Sequence, residues 1–188
     1  MFSARLIKPT VLLAILLLVS IGLAGCGGIT DDLNPSSNDN RPVVEEGTLG
    51  TQVGQQSPDF SVLDTLGNSR GLYDELSKST GVVLYFTMWC TACDLDINHM
   101  RINVIPNFPD VTFFLVDYVS GSVTDSRIAQ LASGHGDIET LADIDDVLTN
   151  LYGDSMGTTV VIDSTGNIVR MNENYKDGVK LIETLEAL

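Results

Sequence analysis

From about Gly50 the chain alternates between short apolar runs and stretches of helical spacing, punctuated by glycine and proline. That pattern predicts an α/β domain over residues 51–188. Phe60 to Asp64 reads as a short strand, Leu66-Gly67-Asn68 as a turn, and Leu72 to Leu76 as one helical turn before Gly81. The continuous apolar run Val82 to Phe86 is expected of a strand buried on both faces, which places it at the centre of a sheet. Cys93, Ile97, Met100 and Val104 then recur at helical spacing, predicting a helix over 91–104 that Pro106 and Pro109 end. Val111 to Val116 predicts a second buried strand, Ser126 to Ala132 a helix closed by Gly134, and Asp145 to Tyr152 a short helix stopped by Gly153. Thr158 to Asp163, the turn at Ser164 to Gly166, and Asn167 to Met171 predict a β-hairpin. Val179, Ile182, Leu185 and Leu188 mark the expected buried face of a closing helix.

The N-terminus follows a different pattern. Arg5 and Lys8 precede an uncharged apolar stretch, Val11 to Leu23, of about 13 residues, which is short against the roughly 20 a membrane span needs but suits a signal-peptide core. Leu23-Ala24-Gly25-Cys26 resembles a bacterial lipoprotein cleavage box. Residues 1–25 are therefore expected to be a signal peptide, with Cys26 lipidated at the mature N-terminus. Residues 26–50, rich in Gly, Pro, Ser, Asn and acids, read as a flexible tether. The expected location is the periplasmic side of a bacterial membrane.

Charge and cysteine count narrow the chemistry. Ten basic against 25 acidic residues give a formal net charge of −15, a surface that repels nucleic acid. Of the three cysteines, lipidation of Cys26 leaves Cys90 and Cys93, and in an exported chain so close a pair can cycle between dithiol and disulfide. The only histidines are His99 and His135, so a zinc site lacks an evident ligand set, and neither a metal nor a cofactor is expected.

A Cys-x-x-Cys pair placed where a buried strand turns into a helix has a physical use. The helix N-terminus stabilises a thiolate on the first cysteine, making Cys90 the nucleophile. Cys93, one turn on and less exposed, is positioned to attack a mixed disulfide on Cys90. Trp89 offers an aromatic rim beside the sulfur. His99, nine residues from Cys90, falls on the opposite side of the helix. His135 lies in a glycine-flanked segment read as flexible, and Asp94 and Asp96 read as solvated carboxylates near the helix start.

Val82 to Cys93, VVLYFTMWCTAC, resembles the active-site strand and helix of the thioredoxin superfamily, and Ser57 to Gly67 resembles the opening of its redoxin, TlpA/ResA-like branch. The resemblance implies a thioredoxin-like α/β fold, a central mixed β-sheet flanked by helices with an added N-terminal β-hairpin. It also implies a thiol–disulfide oxidoreductase acting on protein disulfides, apocytochrome c among the candidates, with electrons from a membrane donor. It places Trp89, Met156, Gly157 and Thr158 along the substrate groove. Where that family carries a cis-proline before Thr-Thr, this chain has Gly157. A non-proline cis bond costs roughly 3 kcal/mol, so a trans peptide is expected there. The family's buried acid behind the cysteines is also absent, its strand offering Leu84 and Tyr85. With no cation between the cysteines, a near-neutral Cys90 and a reducing direction are expected.

Two alternatives stand beside this reading. Thr87-Met-Trp-Cys90 matches the Thr-x-x-Cys core of peroxiredoxins, although position 83 is Val where those proteins carry proline. A Sco-type copper protein would use the two cysteines and a distant histidine such as His135, although its cysteines are usually spaced one residue wider.

Overall fold

The computed structural model describes residues 44–153, 155–172, 175 and 178–188. The signal-peptide reading, Cys26 and most of the tether lie outside the described residues. The strands are β1 (Ser61–Asp64), β2 (Ser69–Gly71), β3 (Gly81–Thr87), β4 (Val111–Asp117), β5 (Thr140–Ala142), β6 (Thr159–Asp163) and β7 (Ile168–Asn172). The α-helices are α1 (Leu72–Leu76), α2 (Thr91–His99), α3 (Val123–Ala132), α4 (Val147–Tyr152) and α5 (Val179–Leu185). One mixed sheet runs in the order β2-β1-β5-β4-β3-β6-β7. β3 pairs parallel with β4 and antiparallel with β6, and β1 with β2 forms the added N-terminal hairpin. Among the described residues no helix is long and apolar enough to cross a membrane.

Every residue of β3 is buried, which explains its unbroken apolar run. Strand alternation sends Val82, Leu84 and Phe86 into one core with Phe114, Val116, Leu148 and Ile162. Val83 and Tyr85 point into the other, against Cys93, Ile97, Met100 and Val104. Each such buried aliphatic or aromatic side chain contributes about 1.5–3 kcal/mol through its removal from water. The two layers clamp β3 from both faces and fix the height at which it releases the chain into the cysteine turn.

Several expectations need correction. The helix predicted over 91–104 is α-helical only to His99, then widens to a π turn over Met100–Val104 and tightens to a 3-10 turn over Ile105–Asn107, with Pro106 at its start. All four predicted core positions remain buried. α3 begins at Val123, three residues before the expected Ser126, because the Ser122 side chain accepts from the Asp125 N–H and caps it. On α5 the buried residues are Leu181 and Leu185, whereas Val179 and Leu188 are exposed. β5, three residues long, carries no period of its own and exists because β1 and β4 pair with it. Residues 44–50, assigned to the tether, are partly ordered: the Gly47 N–H donates to Gly54 and that of Gly50 to Gln56.

Candidate functional site

β3 ends at Thr87, and three residues later α2 starts from Cys90. The reversal between them is tight. Trp89 takes φ 58°, a left-handed conformation uncommon for a bulky residue, and its N–H donates to Thr87 Oγ1 at 3.1 Å. The turn places Cys90 at the helix N-cap, φ −85° and ψ 164°, where its sulfur accepts from the Cys93 N–H at 3.1 Å. Both cysteines are free, with sulfurs 2.6 Å apart; Cys90 is half-buried and Cys93 fully buried.

This placement separates the two thiols chemically. Burial pulls Cys90 upward, but the hydrogen bond from the Cys93 side chain and the N–H groups of the first helical turn outweigh it, leaving its pKa below the ordinary thiol value. Burial pushes Cys93 up, and the hydrogen bond to Cys90 pushes it further, so it stays protonated where Cys90 ionises. One thiol is half-buried with a lowered pKa and the other fully buried with a raised one.

The remaining predicted residues fall around this pair. Trp89 and Cys90 line an open groove of about 310 Å³ with Thr91, Asp94, Ala132 and Ser133. Met156 is exposed on the opposite loop, its Sδ 2.9 Å from Cys90 Sγ. Gly157 has φ +80° and donates its N–H to the Phe86 carbonyl at 2.9 Å; no peptide among the described residues is cis, so the expected trans bond is present. Thr158 is buried, its N–H donating to Ser155 and its carbonyl accepting from Phe86. Its side chain has no surface to offer a groove.

Two polar pairs were invisible as pairs in the sequence. Tyr85, buried beneath the cysteines on β3, donates its hydroxyl to Asp96 Oδ2 at 2.9 Å. Burial drives the Tyr85 pKa far upward, and the neighbouring Asp96 carboxylate drives it further. Burial also raises Asp96 above the usual carboxylate range, against the opposing Tyr85 hydrogen bond. His135 is 1% exposed, and its Nε2 lies 2.7 Å from Asp94 Oδ1. The flexible-segment reading of His135 is therefore corrected. Gly134 closes α3 with its N–H on Leu131 and the His135 N–H on Gln130, a Schellman cap that fixes the histidine rather than freeing it. The glycine just past the C-cap Ser133 was the available signal. His99 Nδ1 lies 2.9 Å from the hydroxyl of Tyr175, which packs in the same core as Tyr85 and Cys93.

No family model and no curated protein matches the sequence. Solved structures do match in fold. A secreted disulfide oxidoreductase of Mycobacterium tuberculosis, homologous to DsbE of E. coli, superposes with TM-score 0.54 at 20% identity, covering 69% of this chain and 96% of its own. An exposed lipoprotein thioredoxin of Streptococcus pneumoniae gives 0.55 at 22%, covering 70% and 100%. The peroxidoxin BcpB of Mycobacterium tuberculosis gives 0.59 at 22%, covering 73% and 98%. The fold of this chain is thioredoxin-like.

Proposed function

We propose that the chain is an extracytoplasmic thiol–disulfide oxidoreductase of the TlpA/ResA-like branch, reducing disulfides in protein substrates. The observation that carries the proposal is the division of labour between the thiols: Cys90 half-buried at the helix N-cap with a lowered pKa, Cys93 buried with a raised one. The Cys90 thiolate attacks one sulfur of a substrate disulfide, forming a mixed disulfide and expelling the other as a thiolate. Cys93 then gives up its proton and attacks Cys90, expelling the second substrate thiolate. Two electrons have moved to the substrate, and Cys90–Cys93 is left as a disulfide that a membrane dithiol donor reduces. Apocytochrome c fits the substrate class. Lipidation at Cys26 and tethering through residues 26–50 complete the proposal, and the secreted and lipoprotein fold neighbours support that placement.

Replacing Cys93 with serine tests the assignment. The variant is expected to accumulate substrates covalently held on Cys90, released by reductant, while Cys90→Ser captures none. Equal capture by both variants would reverse or abolish the assigned roles. The thiol peroxidase reading needs the Thr87 hydroxyl beside the attacking sulfur, whereas Thr87 is buried, accepts the Trp89 N–H and hydrogen-bonds the buried Cys93 thiol.

A further inference from the structure

Two other sulfurs lie against that of Cys90 at the start of α2. Cys90 Sγ touches Cys93 Sγ at 2.6 Å and Met156 Sδ at 2.9 Å, and Met156 comes from a loop 66 residues further along the chain. Among the described residues no three His, Cys, Asp or Glu side chains converge in a way that holds a metal. The third donor here is a thioether.

We propose that the reduced protein binds one Cu(I) through Cys90, Cys93 and Met156. Two thiolates and a thioether are soft donors, a set that selects Cu(I). Zinc, which needs a closed four-ligand shell in such sites, finds no fourth partner among the described residues, where His135 is paired with Asp94 and His99 with Tyr175. This ligand set also differs from two cysteines and a histidine, because the side chain meeting Cys90 is Met156. Binding involves no electron transfer: Cu⁺ replaces the two thiol protons, both protons are released, and the thioether donates a lone pair.

The geometry can reach the bound form. With metal–sulfur bonds of about 2.3 Å, as zinc makes to thiolate, three sulfurs in a plane around the ion stand about 4 Å apart. Cys90 and Met156 must therefore swing outward by an ångström or more. Met156 is 40% exposed and has three rotatable side-chain bonds, so it can swing freely, while Cys90 at the end of α2 moves by exchanging its cap from the Cys93 N–H for the metal bond. Cys93 stays fixed as the buried ligand. The ion then occupies the position where a substrate sulfur would approach Cys90, so copper and disulfide substrates exclude each other.

The proposal is independent of disulfide exchange, since it needs only the two thiols in reduced form. The test is an anaerobic titration of the reduced full chain in mild detergent against the coloured complex of Cu(I) with bathocuproine disulfonate, followed by X-ray absorption at the copper edge. One Cu(I) per chain with three sulfur neighbours is expected. Met156→Leu preserves volume on an exposed loop and should reduce the neighbours to two. Its affinity should fall at least the ~10-fold that loss of an outer-shell partner costs a metal site. Met156→His, which restores a donor, should recover affinity with a nitrogen among the neighbours. Cys26 is common to all the variants, so the differences report on the groove alone. Equal affinity in wild type and Met156→Leu, or two sulfurs around copper in the wild type, overturns the proposal.

Discussion

Replacing Gly157 with proline would restore the residue that thioredoxin-like proteins usually carry before Thr-Thr, and the structure says it will destabilise this one. Gly157 sits at φ +80°, whereas proline is locked near −65°. Its N–H donates to the carbonyl of buried Phe86 at 2.9 Å, and proline has no N–H to give. Loss of that donor leaves a buried carbonyl unsatisfied, costing about 1–3 kcal/mol, and the forced φ brings the total to about 3 kcal/mol or more. Gly157→Ala keeps the N–H and carries the left-handed penalty, about 1–2 kcal/mol. Urea unfolding of the reduced proteins should therefore rank wild type above alanine and alanine above proline, with unchanged m-values. A proline variant as stable as the alanine variant would mean that the loop settles into a different backbone path, and the Met156–Cys90 contact would have to be abandoned with it.

Further outcomes follow from the polar pairs. Tyr85→Phe deletes a hydrogen bond to a carboxylate worth about 1.5–3 kcal/mol, toward the lower end because Asp96 can rehydrate; NMR titration should show the Asp96 pKa rising further once that donor is gone. Alkylation of Cys90 by iodoacetamide should titrate below the unperturbed thiol value of 9.0, while Cys93 reacts only after unfolding or at higher pH; matching profiles would refute the division of roles. Burial pulls Asp64 up, but hydrogen bonds from Asn68, Arg70 and Leu66 outweigh it and hold its pKa below 3.8. Its stabilisation is fully present above that unfolded value and disappears as pH falls through the folded one, so Asp64→Asn should flatten the acid limb of the stability curve.

How much of this was readable in the sequence depends on the range of the interaction. The strand over 82–86 and the spacing of Cys93, Ile97, Met100 and Val104 are local patterns, and both persist because the two faces of β3 supply the cores they require. The placement of Cys90 at a helix N-cap was equally local. β5 was not legible, since three residues held by neighbours on both sides show no period. The buried face of α5 was misjudged because a three-residue repeat drifts around a helix of 3.6 residues per turn, and Leu181 with Leu185 is the pair that stays in line. Contacts of Cys90 with Met156 and of Asp94 with His135 join positions far apart in sequence, which no local pattern encodes.

The missing acid beneath the cysteines finds its physical answer in Tyr85. Strand alternation puts this side chain in the same core as Cys93, and its hydroxyl reaches Asp96, three residues beyond Cys93 on α2. The carboxylate therefore remains near the thiols but at the half-buried margin, linked to the interior by a phenol that stays protonated across the working range. A charge placed there raises the cost of ionising Cys93 less than one buried directly against it. The same arrangement keeps Asp96 in contact with solvent, where it can exchange protons. The two thiols thus owe their separation to burial, to the hydrogen bond between them and to the helix terminus. On this account Asp96→Asn should shift Cys90 titration only slightly, whereas lengthening the turn by a residue between Met88 and Trp89, which moves Cys90 off the N-cap, should return its pKa toward 9.0. A large shift in the first variant and none in the second would assign the tuning to the carboxylate instead.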